Sequence, residues 1–356
     1  MGHENELPDG STLSNDVCTL SKPTVLFVDD EDHVLNGLRR FMRTRRDAWT
    51  SMFASGGADA IDKLSETEVD LVVTDMRMPG VDGASLLEWI SSEQPGTIRF
   101  VLSGEANIDE TYRIVGRSHQ FLGKPCAPEK LAETITSTLL GTWAQDASIG
   151  GDTASFLDRL KTHPDVHADL DRCLMAAEAD TRDAAAIIST DPGLSARVLQ
   201  LVNSAYFGRP IETASIERAV NALGLEHLRA LTQKGRLGQA SADAGTTRWD
   251  TVFGPLANSA RAHGSTMTNN RDVLDTIYAT ALFSGLGSIV GDVKGNAPIA
   301  PAAFTATLLG FPNKLIAALA ALKELRPAGG STDLVEPICA SVFEAYAMTN
   351  GGKVNA

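Results

Sequence analysis

Apolar positions along the chain change their period near residue 141. Before it, short apolar runs alternate with stretches at helical spacing. Val25-Leu26-Phe27-Val28 reads as a buried strand ending at Asp29-Asp30, and Val34, Leu35, Leu38, Phe41 and Met42 then share one helix face. The same alternation predicts strands over 49–53, 70–74, 98–102 and 121–122. Between and after them it predicts helices over Ala58 to Leu64, around Leu86, Leu87 and Ile90, over Ile108 to Val115, and through Leu131, Ile135, Leu139 and Leu140. Repeated strand–helix units predict an α/β, doubly wound parallel five-stranded sheet covered on both faces. In such sheets ligands sit beyond the carboxyl ends of the strands.

After Gly141 the strand signals stop and Ala-rich and Leu-rich helical patterns take over. Thr181 and Asp191-Pro192 read as helix starts. Leu194, Val198, Leu201, Val202 and Ala205 share a face of a helix that Gly208 is expected to end, and Ser215 caps another through Ala219 and Leu223. The expected organisation is a disordered tail over 1–22, an α/β domain over 23–142, a small polar linker over 143–152, an all-α domain over 153–345 and a C-terminal tail over 346–356. Polar, Gly-rich stretches at 235–247 and 326–332 read as loops.

Composition narrows the function. Net charge is −14, and residues 23–142 carry 12 Lys and Arg against 19 Asp and Glu, while residues 143–356 carry 18 against 22. Neither half offers the basic balance that phosphate backbones reward, so nucleic-acid binding is disfavoured. The basic run Arg39-Arg40 to Arg45-Arg46 reads as a solvated face near a helix end. No apolar run reaches the length of a membrane span. Cys18, Cys126, Cys173 and Cys339 are scattered, and the opening residues lack a signal-peptide pattern, so a reducing, cytoplasmic location is expected.

The informative chemistry lies at strand ends. Asp29, Asp30 and Glu31 follow the first strand and Asp75 follows the third, so the sheet gathers carboxylates in one crevice. Like charges gathered there call for a cation, and a hard divalent ion with oxygen ligands such as Mg²⁺ suits them. Ser103 closes the fourth strand and Lys124 the fifth, supplying a hydroxyl and an ammonium suited to an incoming phosphoryl group. Asp82, beside Gly83, reads as a residue of a solvated turn or a helix cap.

The ordered set Asp29-Asp30, Thr74-Asp75-Met76-Arg77-Met78-Pro79-Gly80, Gly83, Leu102-Ser103-Gly104 and Lys124-Pro125 resembles the receiver domain of response regulators. The resemblance implies that Asp75 accepts a phosphoryl group from a sensor histidine kinase or phosphotransfer protein. It implies that Asp29 or Asp30, with Asp75 and the backbone carbonyl of Arg77, holds Mg²⁺. Lys124 would neutralise phosphoryl oxygens, Ser103 would hydrogen-bond one of them, Phe121 would be the switch aromatic, and Lys124-Pro125 would be cis.

The segment Ala185-Ala186-Ile187-Ile188-Ser189-Thr190-Asp191-Pro192-Gly193-Leu194-Ser195-Ala196-Arg197-Val198-Leu199, with Val202-Asn203-Ser204-Ala205-Tyr206-Phe207-Gly208 and Ile216 to Ala230, resembles the HDOD domain, a relative of metal-dependent HD phosphohydrolases. An HD enzyme needs a His and a later His-Asp pair around divalent metal. Aligned by apolar pattern, those positions fall near Pro255 and at Ser284-Gly285, and no His-Asp dipeptide occurs in the sequence. The expected output is therefore protein–protein interaction with a downstream signalling protein. The receiver face around Phe121 would contact the HDOD domain or a second receiver in a homodimer. His163 and His167 are either a metal pair on one helix face or residues of a solvent-facing first turn; the first would favour a cyclic-nucleotide phosphodiesterase. A cyclic-nucleotide-binding module is the other alternative. His227 and His263 read as surface or core histidines. Asn203, Ser204 and Tyr206 read as helix-packing and helix-ending residues.

Overall fold

The computed structural model describes residues 22–104, 108–140, 161–204, 206–207, 210–240, 249–284, 286, 299–323, 338 and 340–342. The expected N-terminal tail up to residue 21, the C-terminal tail and the linker, Cys18, Cys339, Ala205, Gly208 and Gly285 lie outside them, as do the loop at 326–332 and most of the one at 235–247.

The first half is built from β1 (Thr24–Val28), α1 (Asp32–Met42), β2 (Thr50–Ala54), α2 (Gly57–Glu66), β3 (Leu71–Thr74), α3 (Gly83–Glu93), β4 (Ile98–Ser103), α4 (Ile108–Ile114), β5 (Gln120–Gly123) and α5 (Pro128–Leu140). All neighbouring strands pair in parallel, in the order β2-β1-β3-β4-β5. Successive side chains of a strand face opposite sides of a sheet. Val25 and Phe27 accordingly join one core, while Leu26 and Val28 join another with Ala60, Leu64, Leu86 and Ile90 of α2 and α3. Chain direction across the sheet reverses between β1 and β3, the position where such folds hold ligands.

The second half contains α6 (Pro164–Met175), α7 (Thr181–Thr190), α8 (Pro192–Asn203), α9 (Ile216–Gln233), α10 (Trp249–Gly264), α11 (Arg271–Phe283), α12 (Ile299–Leu308) and α13 (Asn313–Lys323). Caps stand where the sequence places them: Asp191 Oδ1 accepts from Leu194 N at 2.8 Å, and Ser215 Oγ accepts from Arg218 N at 3.4 Å. Two details differ from expectation. Helix α8 stops at Asn203, because the Asn203 side chain turns back to bond the Thr213 backbone through N–H donation at 2.9 Å and acceptance at 2.8 Å. A two-residue parallel bridge, β6 (Lys161–Thr162) with β7 (Gln239–Ala240), interrupts the otherwise helical half. Helix α9 kinks at Gly224, whose φ of 76° is a conformation side-chain-bearing residues rarely adopt. Among the described residues no helix is long and apolar enough to cross a membrane.

Every side chain from Pro192 to Val202 of α8 is buried, including Ser195, Arg197 and Gln200. One apolar cluster runs from the β4–β5 side of the sheet, through Phe121 and Tyr112, into α8, α9 and α12. The two halves are packed together across β5.

Candidate functional site

Hydrogen bonds at the reversal of the sheet bring Asp29 and Asp75 side by side. Val28 pairs with Thr74, Asp75 N donates to Val28 O at 2.9 Å, and Asp29 N donates to Ala54 O at 3.2 Å. Both aspartates are buried, whereas Asp30 is exposed. Asp29 and Asp30 both follow the end of β1, and Asp29 is the one whose carboxylate meets Lys124.

Lys124 reaches between the two carboxylates, with Nζ 2.9 Å from Asp29 Oδ2 and 2.7 Å from Asp75 Oδ1. Each carboxylate is also held by backbone: Asp29 Oδ1 accepts from Glu31 N at 2.9 Å, and Asp75 Oδ2 accepts from Arg77 N at 2.8 Å. Burial works against the Lys124 ammonium, but hydrogen bonds from it to Asp75 and Asp29 outweigh that and raise its pKa. Lys124 is placed from the backbone too. Its N–H donates to Ser103 O at 2.6 Å, and Lys124-Pro125 is cis. Ser103 is buried at the end of β4, and Arg77 is exposed with Nε 3.3 Å from Glu110 Oε2. The side chains of Asp29, Asp75 and Lys124 therefore converge, with Ser103 joined to Lys124 through its backbone carbonyl, while Asp30 and the Arg77 side chain are exposed. Asp82 is the N-cap of α3, accepting from Ser85 N at 2.8 Å.

The loop after Asp75 needs glycine. A Cβ on Gly83 would lie 2.2 Å from the Asp75 carbonyl oxygen. That is backbone, which cannot swing aside as a side chain can. Gly83→Ala is expected to lower stability by about 1–3 kcal/mol, the usual cost of forced overpacking, and to shift Asp75; urea denaturation measures the first effect.

A second cluster joins the halves at the receiver face around Phe121, where contact with the HDOD domain was one of the two expectations; its members Arg197 and Gln200 were not singled out from the sequence. Gln200 Nε2 donates to Ser118 O at 3.0 Å and to His119 O at 2.7 Å. Arg197 Nη1 donates to Gln200 Oε1 at 2.5 Å and so fixes the amide's orientation. Tyr206 OH lies 2.7 Å from Ser118 Oγ, and its ring centroid is 5.2 Å from that of Phe121. Burial pushes the Tyr206 phenol up to about 12, so it stays a neutral donor. Gln120 Nε2 donates to Thr307 O at 2.8 Å. His227 is half-buried, and its Nδ1 is 2.8 Å from Tyr112 OH, across the interface, with the Phe207 ring 4.4 Å away. Arg197 and Gln200, three apart and flanking the face of Leu194, Val198 and Leu201 on α8, were the available signal.

His163 is the N-cap of α6, its Nδ1 accepting from Asp165 N at 3.2 Å, and His167 Nδ1 is 3.4 Å from Asp171 Oδ2. Pro255 lies within α10, and Ser284 is the C-cap of α11.

A parallel five-stranded fold with acids at the β1 and β3 ends and a lysine at the β5 end defines the receiver class, here followed by a helical module. The comparisons agree: the chain carries a response regulator receiver domain matching over residues 25–136 and an HDOD domain matching over 160–253. It is similar to the transcriptional regulatory protein GltR of Pseudomonas aeruginosa, 33% identical over 144 residues, covering 39% of this chain and 58% of that protein. It is also similar to the sensor kinase CckA of Brucella abortus, 35% identical over 120 residues, 33% of this chain and 12% of that protein. The chain thus spans 58% or less of the length of these curated relatives. Among solved structures, the signal receiver domain of an HD domain-containing protein from Pseudomonas fluorescens is 28% identical, covers 33% of this chain and 94% of that one, and superposes with a TM-score of 0.32.

Proposed function

We propose that this chain is a two-component response regulator in which Asp75 accepts a phosphoryl group from a phosphohistidine of a sensor kinase or phosphotransfer protein, and the HDOD domain delivers the output by binding another protein. The observation that carries the reading is the Lys124 ammonium held between the buried carboxylates of Asp29 and Asp75. In the transfer, an Asp75 carboxylate oxygen forms a bond to phosphorus while the phosphorus–nitrogen bond of the donor breaks. The bonding pair returns to the imidazole nitrogen, and Asp75 becomes an acyl phosphate. Lys124 offers a fixed positive charge to the phosphoryl oxygens, and the Ser103 hydroxyl offers a hydrogen bond to one of them.

The donor set fits Mg²⁺: Asp29 and Asp75 are hard oxygen ligands, and one ammonium leaves this pair with net negative charge. Asp29, Asp75, the Arg77 backbone carbonyl and the exposed Asp30 would hold it, and it would supply further charge neutralisation for the phosphoryl group. The sequence contains no His-Asp dipeptide, and His163 and His167 are engaged with their own helix. Both observations favour output by binding over hydrolysis. Acetyl phosphate with Mg²⁺ is expected to label the protein, and EDTA to prevent it. Equal labelling with and without EDTA would contradict the assigned metal dependence.

A further inference from the structure

Polar contacts at Ser118, His119 and Gln120 close one stretch of the seam between the two halves. Beside Gln120 the seam widens. A cleft of about 1150 Å³ lies between α4, β5 and α5 on one side and α8, α9, α12 and α13 on the other. Small-molecule sites run from roughly 300 to 1,000 Å³, so the space is ample for an organic ligand of ordinary size. Its chemistry differs from that of the whole chain. The sequence holds 45 Asp and Glu against 31 Lys and Arg, yet no Asp or Glu is among the described residues of the wall, which has Lys124, Lys130 and His227.

Lys124 is committed to Asp29 and Asp75. Lys130 is exposed and has no carboxylate partner among the described residues; Glu129 and Glu133 of the same helix are exposed but stand outside the wall. Helix α13 begins at Asn313, also on the wall, and a helix N-terminus adds partial positive charge. A cleft lined by one sign of charge gathers ions of the other. Two buried hydroxyls are a separate observation. Ser204 is 7% exposed and Thr111 1%, both line the cleft, and neither hydroxyl has a hydrogen-bond partner among the described residues. Buried polar atoms ordinarily have one. A hydroxyl can donate, and so serves an anionic oxygen. Leu122, Phe207 and Ile316 are half-buried on the same wall and give it an apolar, partly aromatic surface.

We infer that this cleft is a binding site for a small organic anion with an apolar, ring-bearing body. Lys130 supplies the counter-charge, the Ser204 and Thr111 hydroxyls supply hydrogen bonds, and Phe207 and Ile316 supply apolar contact. The absence of carboxylates from the described wall selects against cations. The site stands independently of the assignment of Asp75.

The test is a fluorescence titration of the full chain with two probes. One is 8-anilinonaphthalene-1-sulfonate, a ring-bearing anion that brightens in apolar surroundings. The other is N-phenyl-1-naphthylamine, which has the same rings and no sulfonate. Both are expected to saturate at one per chain, the sulfonate binding more tightly. Lys130→Ala is expected to weaken the sulfonate about threefold to fivefold, the upper range for one exposed ion pair, and to leave the amine unchanged. Ile316→Trp, which fills the cleft, should weaken both probes about tenfold or more, as overpacking a fitted space does. Ser137→Trp, at an exposed position of the same wall, should also weaken both and guards against misfolding of the first tryptophan variant. Absence of saturable binding would overturn the site. A sulfonate no tighter than the amine, or equal effects of Lys130→Ala on both, would overturn the preference for anions. Unchanged binding in both tryptophan variants would put the probes elsewhere and overturn the cleft as their site.

Discussion

Asp75→Asn is expected to eliminate labelling of the protein by acetyl phosphate. The amide keeps the size of the side chain and can still accept from Arg77 N, as the carboxylate does at 2.8 Å. It cannot form an acyl phosphate, because the attacking group is a carboxylate oxygen. The fold should survive, since Asp29 still pairs with Lys124 at 2.9 Å. Labelling of the Asn variant at the level of the unaltered protein would show that another group is the acceptor. Circular dichroism, expected to be unchanged, separates loss of the acceptor from loss of the fold.

Lys124→Ala has the second large effect, on stability as well as response. Without the ammonium, two carboxylates whose side chains are 4% and 10% exposed face each other. Removing one partner of a buried ion pair costs about 3–5 kcal/mol, and the partial exposure of Lys124 puts the expected loss toward 2–3 kcal/mol. Urea denaturation measures it, and Mg²⁺ should recover part by replacing the missing positive charge. The pH dependence has a definite sign. Because its hydrogen bonds to Asp75 and Asp29 outweigh burial, the Lys124 ammonium has a raised pKa in the folded protein. Its contribution is therefore fully present below the ordinary ammonium value of about 10.4 and is lost as pH rises through the raised one. A variant as stable as the parent, with or without Mg²⁺, would contradict this account of the crevice.

What was legible in the sequence follows from what periodicity encodes. Apolar runs locate strands, strand ends locate the crevice, and so Asp29, Asp75, Ser103 and Lys124 could be grouped before any coordinates. The choice between Asp29 and Asp30 could not be read, because both follow the end of β1 and the course of the chain there decides which carboxylate meets Lys124. The polar members of the interface were hidden for a related reason. Arg197, Gln200 and His227 are polar residues on helices with an apolar face elsewhere, the pattern of a solvated surface. Only contact with Ser118, His119 and Tyr112 makes them buried partners. The bridge between Lys161–Thr162 and Gln239–Ala240 is too short for any period to reveal. Gly83 was visible as a motif position, but its reason, the approach of the Asp75 carbonyl, is three-dimensional.

The most direct measurement is the position of the acyl phosphate. The protein is treated with acetyl phosphate and Mg²⁺, reduced with borohydride, which converts a phosphoaspartate to homoserine, and mapped by peptide mass spectrometry. Homoserine is expected at position 75, with Asp29 and Asp30 unchanged. Homoserine at another aspartate, or at none, would contradict it.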